Sequence, residues 1–204
     1  MTASELEPFK VIKSKVTPLD ISNVDTDQII PKQFLKLIQR TGFGKYLFYD
    51  WRFDRDGNPK REFVLNDPKY TGRQILLARD NFGSGSSREH AVWAIQDYGF
   101  KAIVAQSFAD IFYINCFKVG LLPVSLSSDE IEYLFRNTDL DVEIDLFNQQ
   151  VTIGTIVTNF KIHEYRKKAL LQGLDEIGVT LQLESKIAEY EKKNKAIVPY
   201  TDTP

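Results

Sequence analysis

One cysteine, one methionine and two histidines are all that this 204-residue chain holds of the softer metal-binding side chains. Cys116 has no second cysteine to pair with, so an internal disulfide is excluded. An iron–sulfur cluster normally takes three or four thiolates, so this chain cannot hold one by itself. His90 and His163 show no metal-binding spacing, and no EF-hand pattern is present. No metal ligand set is therefore expected. Cys116 falls in an apolar helical pattern and reads as a buried, reduced thiol, which suits the cytoplasm. No apolar run approaches the length of a membrane span, and residues 1–10 lack the apolar core of a secretory signal. Neither a membrane nor an export route is expected. The 26 Lys and Arg residues balance 28 Asp and Glu without forming a basic stripe, which argues against nucleic acid as a partner. Repeats and low-complexity blocks are also missing. The length and a 43% hydrophobic content allow a substantial core. They predict one domain over 1–204, with 171–204 as a helical carboxy-terminal extension.

What is present is a mixed α/β pattern. Residues 9–16 alternate apolar and polar and read as a half-buried strand. Residues 18–27 are turn-rich, Pro31 suits a first helical turn, and 33–39 has a helical pattern. Residues 41–51 are rich in aromatics but broken by Gly42 and Gly44, which predicts a partly helical lid or an interface. Asp56-Gly57-Asn58-Pro59 marks a turn. From Arg73 onward, short buried strands at 75–78, 102–105 and 121–124 alternate with helices at 87–98 and 108–119, which predicts parallel strands. Ser127 to Glu130 opens a helix ending near Asn137. Residues 142–146 and 151–153 alternate around Asn148-Gln149 and read as a hairpin. Helices at 162–171 and 177–190 close the chain, and the charges of 184–195 form a solvated face.

The densest cluster of chemistry-bearing residues is Asn81-Phe82-Gly83-Ser84-Gly85-Ser86-Ser87-Arg88-Glu89-His90, where a glycine-rich loop runs from a strand into a helix. Such a junction offers unpaired N–H groups and the positive end of a helix dipole, and Arg88 adds a planar fork suited to a carboxylate. Two readings stay open here. Ser86-x-x-Glu89 is also a capping box, and Gly83 to Gly85 could be no more than a tight turn. Named nucleotide and hydrolase motifs are excluded. Arg88 stands where a dinucleotide loop has its third glycine, no Gly-Lys-Ser/Thr follows, and Gly-x-Ser-x-Gly is absent. Asp25-Thr26-Asp27 forms the other polar group, and an Asx-type turn before a helix accounts for it equally well.

The run from Asn81 to His90 resembles the signature of the swivelling domain of the aconitase superfamily. Residues 98–112 and Gly120-Leu121-Leu122-Pro123-Val124 are similar too. So are Asn23-Val24-Asp25-Thr26-Asp27-Gln28-Ile29-Ile30-Pro31, the stretch from Thr41 to Phe53, and Gly173-Leu174-Asp175-Glu176-Ile177-Gly178. The order and number of these motifs resemble the family's free-standing version, the small subunit of an isopropylmalate isomerase.

The resemblance implies a three-layer β/β/α swivelling domain that closes over an active site on another chain. It implies a hydro-lyase of leucine biosynthesis that converts 2-isopropylmalate into 3-isopropylmalate through 2-isopropylmaleate. A large subunit would carry a [4Fe–4S] cluster, this chain none. By motif position, Ser86 would be the base that takes a C–H proton. Arg88 would grip a substrate carboxylate, and Asp27 would orient partners from the large subunit. Ser87, Gly85 and Thr26 would line the substrate. Citrate-type relatives have His where this chain has Gln28, so detailed roles do not transfer there. Substrate choice is expected in Phe34-Leu35-Lys36-Leu37-Ile38, where Leu35 and Leu37 would suit an isopropyl group. Equally, these residues could form a helix's buried face. A related subunit acting on citraconate or homoaconitate, or a non-catalytic anion-binding module, are the competing expectations.

Overall fold

Two strand runs, 75–78 and 102–105, are buried at every residue, and they set the architecture. In the computed structural model, residues 6–36 and 41–194 are described. In chain order they form β1 (Val11–Ser14), β2 (Val16–Leu19), α1 (Thr26–Ile29), α2 (Tyr49–Arg52), β3 (Ile75–Ala78), α3 (Glu89–Tyr98), β4 (Ala102–Ala105) and α4 (Asp110–Lys118). There follow β5 (Leu122–Ser125), α5 (Ser128–Arg136), β6 (Val142–Asp145), β7 (Gln150–Ile153), β8 (Ile156–Asn159), α6 (Glu164–Gln172), α7 (Glu176–Leu181) and α8 (Glu184–Lys193). Short 3-10 helices, including Lys32–Lys36 and Gly44–Tyr46, lie between them.

Two four-stranded sheets result. One is parallel, in the order β2-β3-β4-β5; the other is antiparallel, in the order β1-β6-β7-β8. Successive side chains of a strand point to opposite faces, and the buried residues of the parallel sheet divide accordingly. Ile75, Leu77, Ala102, Val104, Leu122 and Val124 join Val142, Ile144, Val151 and Ile153 of the antiparallel sheet in one core. Leu76, Ala78, Ile103 and Ala105 join Ala91, Val92 and Ile95 of α3 and Phe112 and Cys116 of α4 in the other. Sheet, sheet and helices are therefore three layers, the expected β/β/α arrangement.

Several expectations need correction. The strand expected over 9–16 is two strands in different sheets. Val11 pairs with Asp145 of β6, and Val16 pairs with Ile75 of β3, so the chain changes sheets at Lys15. Pro18 lies inside β2 rather than in a turn, which an edge strand tolerates because it needs no outward N–H. The hairpin carries a third strand, β8, beyond the turn at Gly154. Phe43, Leu47 and Phe48 are buried in the helix-side core, and the aromatic segment is partly helical as expected, over Gly44–Tyr46 and Tyr49–Arg52. The helix expected over 177–190 is two helices, α7 and α8, and α3 starts at Glu89 rather than at residue 87. Among the described residues no helix is long and apolar enough to cross a membrane.

Candidate functional site

The loops that follow β2, β3 and β4 meet at the carboxyl ends of the parallel strands, where open α/β sheets gather their ligands. Asp80 to Arg88 lies beside Ser22 to Thr26 and is bonded to it along its length. Asn23 N donates to Asp80 O (3.0 Å), Gly83 N to Val24 O (2.7 Å), and Thr26 N to Ser84 O (2.9 Å). Asn81 Nδ2 donates to Asn23 Oδ1 at 2.8 Å, and both asparagines sit in the left-handed region that their side chains tolerate. The loop after β4 closes the third side. Asn81 N donates to Ser107 Oγ (2.8 Å) and Phe82 N to Ser107 O (3.1 Å). Ser107 thus ties loops together and does not cap α4, which starts with Ala109 as an N-cap that makes no side-chain bond.

The two glycines of the loop are there for different reasons. Gly83 has φ +79°, and a Cβ on it would fall 2.1 Å from Cγ of Phe112, so the ring leaves no space for a side chain. Gly85 has φ +91° and turns the chain toward Thr26. After that turn Gly85, Ser86 and Ser87 are exposed. Their backbone N–H groups, like the Ser87 hydroxyl, have no acceptor among the described residues. Helix α3 begins two residues later, with Arg88 as an N-cap whose side chain does not bond to the helix end. The capping reading of Ser86-x-x-Glu89 is therefore corrected: Glu89 accepts from Lys118 Nζ at 3.0 Å instead.

Thr26, the first residue of α1, is 2% exposed. Its Oγ1 donates to Ser86 O at 3.0 Å and lies 3.3 Å from Ser86 Oγ. Asp25 and Gln28 form a true capping box on α1: Asp25 Oδ1 accepts from Gln28 N (2.8 Å) and Gln28 Oε1 from Asp25 N (2.9 Å). That use of Gln28 is a structural one. Asp27 and Arg88 meet as a bidentate pair, with Nη2 donating to Oδ2 at 3.1 Å and Nη1 donating to Oδ1. The arginine side chain is 13% exposed and the aspartate 44%. Lys32 Nζ stands 3.9 Å from Asp27. His90 packs edge-on to Phe43 and against Trp93, and burial lowers its pKa.

Six of the eight residues singled out from sequence, Ser86, Arg88, Asp27, Ser87, Gly85 and Thr26, thus come together. Leu35 is half-buried against the helix-side core, within the 3-10 helix that carries Lys32. Leu37 lies outside the described residues. The residue whose position the sequence did not signal is Lys32. Its separation from Asp27, five residues on and past the end of α1, is not a spacing that marks an ion pair.

No group of three or more His, Cys, Asp or Glu among the described residues could hold a metal. Burial pushes the Cys116 thiol well above its ordinary pKa, so it is held as the thiol rather than as a thiolate ligand. The residues present do not fit an iron–sulfur cluster within this chain.

Layers and loop junction together define the swivelling-domain class of the aconitase superfamily, and the aconitase C-terminal domain family matches residues 6–129. The family of the carboxy-terminal domain of the 3-isopropylmalate dehydratase small subunit matches residues 176–203. The 3-isopropylmalate dehydratase small subunit of Geobacillus sp. (strain WCH70) is 55% identical over 193 residues, spanning 93% of this chain and 98% of the relative. That of Leptospira interrogans is 52% identical over 202 residues, spanning 96% and 98%. A crystal structure of 3-isopropylmalate dehydratase from Methanocaldococcus jannaschii is similar at a TM-score of 0.66 and 28% identity, covering 88% of this chain and 99% of that one. The chain belongs to the 3-isopropylmalate dehydratase small-subunit family.

Proposed function

We propose that this chain, read as one swivelling unit over 1–204, completes the active site of a two-chain 3-isopropylmalate dehydratase in leucine biosynthesis. The single observation that carries the catalytic role is Ser86: the residue is exposed, and its hydroxyl is free of the helix cap that its sequence pattern suggested. The reaction removes a C–H proton beside a carboxylate and a hydroxide from the neighbouring carbon, then adds water back with the positions exchanged. Ser86 Oγ takes the proton in the first half and returns one in the second, so the net change is isomerisation. A free serine is a poor base at neutral pH and needs its alkoxide stabilised. The unpartnered N–H groups of Gly85 to Ser87 and the start of α3 favour negative charge there.

Arg88 binds a substrate carboxylate through its Nε edge, which has no acceptor among the described residues, while Asp27 fixes the plane of the guanidinium. Ser87, with its free hydroxyl, donates to the same carboxylate. Leaving of hydroxide needs a Lewis acid. The reading assigns that to a [4Fe–4S] cluster on a separate large subunit, in keeping with one buried cysteine here. In this reading the isopropyl group is selected by the segment that includes Leu35 and Leu37.

Reconstitution tests it. This chain alone, supplied anaerobically with iron and sulfide, should stay colourless and inactive. With a large subunit it should interconvert 2- and 3-isopropylmalate. Turnover or a stoichiometric cluster in the chain alone would overturn the two-chain reading. Faster turnover of methylmaleate than of isopropylmalate would assign the citraconate-type reaction. Tight dicarboxylate binding without any turnover in the pair would assign an anion-binding module.

A further inference from the structure

We propose that Thr26 is a positioning residue for Ser86: its buried hydroxyl donates to the Ser86 carbonyl while Ser86 is neutral, and turns to Ser86 Oγ when that oxygen loses its proton. This deepens the reading of Ser86 as the base and rests on it. Two acceptors compete for one hydrogen. Thr26 Oγ1 lies 3.0 Å from the carbonyl oxygen and 3.3 Å from the hydroxyl oxygen of the same residue. A rotation about the Cβ–Oγ1 bond exchanges them without moving a heavy atom. Water does not compete, because Thr26 is almost wholly enclosed.

Charge decides which acceptor wins. Against a neutral Oγ the carbonyl is the nearer partner. Against an alkoxide the hydrogen bond is charge-assisted and roughly twice as strong as a neutral one. A donor that strengthens only on ionisation favours the ionised state, which is what a serine base requires.

The same buried position argues against direct substrate contact by Thr26, the role implied by resemblance. The Thr26 backbone is held in place from three sides. Thr26 N donates to Ser84 O at 2.9 Å, Thr26 O accepts from Ile30 N at 3.1 Å, and the Asp25–Gln28 capping box fixes the turn before it. A Cβ at Gly85 would sit 3.4 Å from Thr26 Oγ1, in ordinary van der Waals contact.

The charged groups around this junction are committed elsewhere. Asp27 pairs with Arg88 and approaches Lys32, Glu89 pairs with Lys118 of α4, and Asp25 accepts from Gln28 N. His90, on the first turn of α3, is held below its ordinary pKa by burial and so is neutral through the alkaline range. The alkaline limb is therefore compared between variants that differ only at Thr26, whose hydroxyl touches Ser86 and none of these groups.

The test compares Thr26→Val, which keeps the shape and removes the hydroxyl, with Thr26→Ser, which keeps the hydroxyl, each reconstituted with the large subunit. Thr26→Val should lower kcat by about ten- to a hundredfold, leave KM within about twofold, and move the rise of kcat to higher pH. Thr26→Ser should recover most of the lost kcat and the original pH profile. Normal kcat and pH dependence in Thr26→Val, or a Thr26→Ser variant as slow as Thr26→Val, would overturn the proposal. So would a rise in KM alone. Ser86→Ala in the same assay separates the two levels of failure. If it retains turnover, the base assignment falls. If it is inactive while Thr26→Val is normal, only the role of Thr26 falls.

Discussion

Ser86-Ser87-Arg88-Glu89 and Ser127-Ser128-Asp129-Glu130 share the same capping pattern, and each runs into a helix behind a buried parallel strand. The second does what the pattern says. Ser127 Oγ accepts from Glu130 N, and Glu130 Oε2 accepts from Ser127 N at 2.7 Å. Burial alone would raise the pKa of Glu130, but the bonds from Ser127 and Thr158 outweigh it and hold the carboxyl below its usual value. At the first site the helix starts at Glu89, the serine caps nothing, and the glutamate turns to Lys118.

The cause lies upstream. Leu126, between β5 and its helix, is bonded back to Ala105 O, so the chain enters α5 directly. Before Ser86 come Gly83 and Gly85 at positive φ; Gly83 N donates to Val24 O and Ser84 O accepts from Thr26 N, which ties the chain down and delays the helix. A pattern that normally closes a helix end has been displaced by its flanking glycines. The displacement leaves the serine and three N–H groups on exposed residues, with the Arg88 fork beside them paired to Asp27.

The largest expected effect falls on turnover. Ser86→Ala in the reconstituted enzyme should lose about 10²–10⁴-fold in kcat, the usual cost of a positioned base, whereas Ser127→Ala should keep wild-type kcat. Equal activity of the two variants in a steady-state assay would erase the contrast. Next comes the device that separates the sites. Gly83→Ala has both the positive φ and the Phe112 ring against it. It should destabilise the chain by about 2–4 kcal/mol, from strain and overpacking together. A thermal midpoint equal to wild type would show that Gly83 does not hold the loop.

Much of this was legible in the sequence, and the reasons are specific. β3 and β4 are buried on both faces, so they read as unbroken apolar runs, and α5 announced itself with a real capping box. The change of sheet at Lys15 was hidden because both halves of the run are strand, and alternation does not tell which sheet a strand enters. β8 is an edge strand with Ile156 and Val157 exposed, so its burial pattern carried no signal, though its β-branched residues after Gly154 did. At the site, residue types were visible but partners were not. Nothing local says that Arg88 holds Asp27, 61 residues away, or that the Thr26 hydroxyl reaches Ser86 from 60 residues away.

The most direct measurement of the central claim is a pair of denaturant unfolding curves on the folded chain, for Ser86→Ala and Ser127→Ala. Loss of a real N-cap costs about 0.5–2 kcal/mol, while an exposed side chain outside any cap stays within about 0.5 kcal/mol. Ser127→Ala should show a clear loss and Ser86→Ala a near-unchanged midpoint. A loss for Ser86→Ala as large as for Ser127→Ala would make Ser86 a helix cap and contradict its release for catalysis.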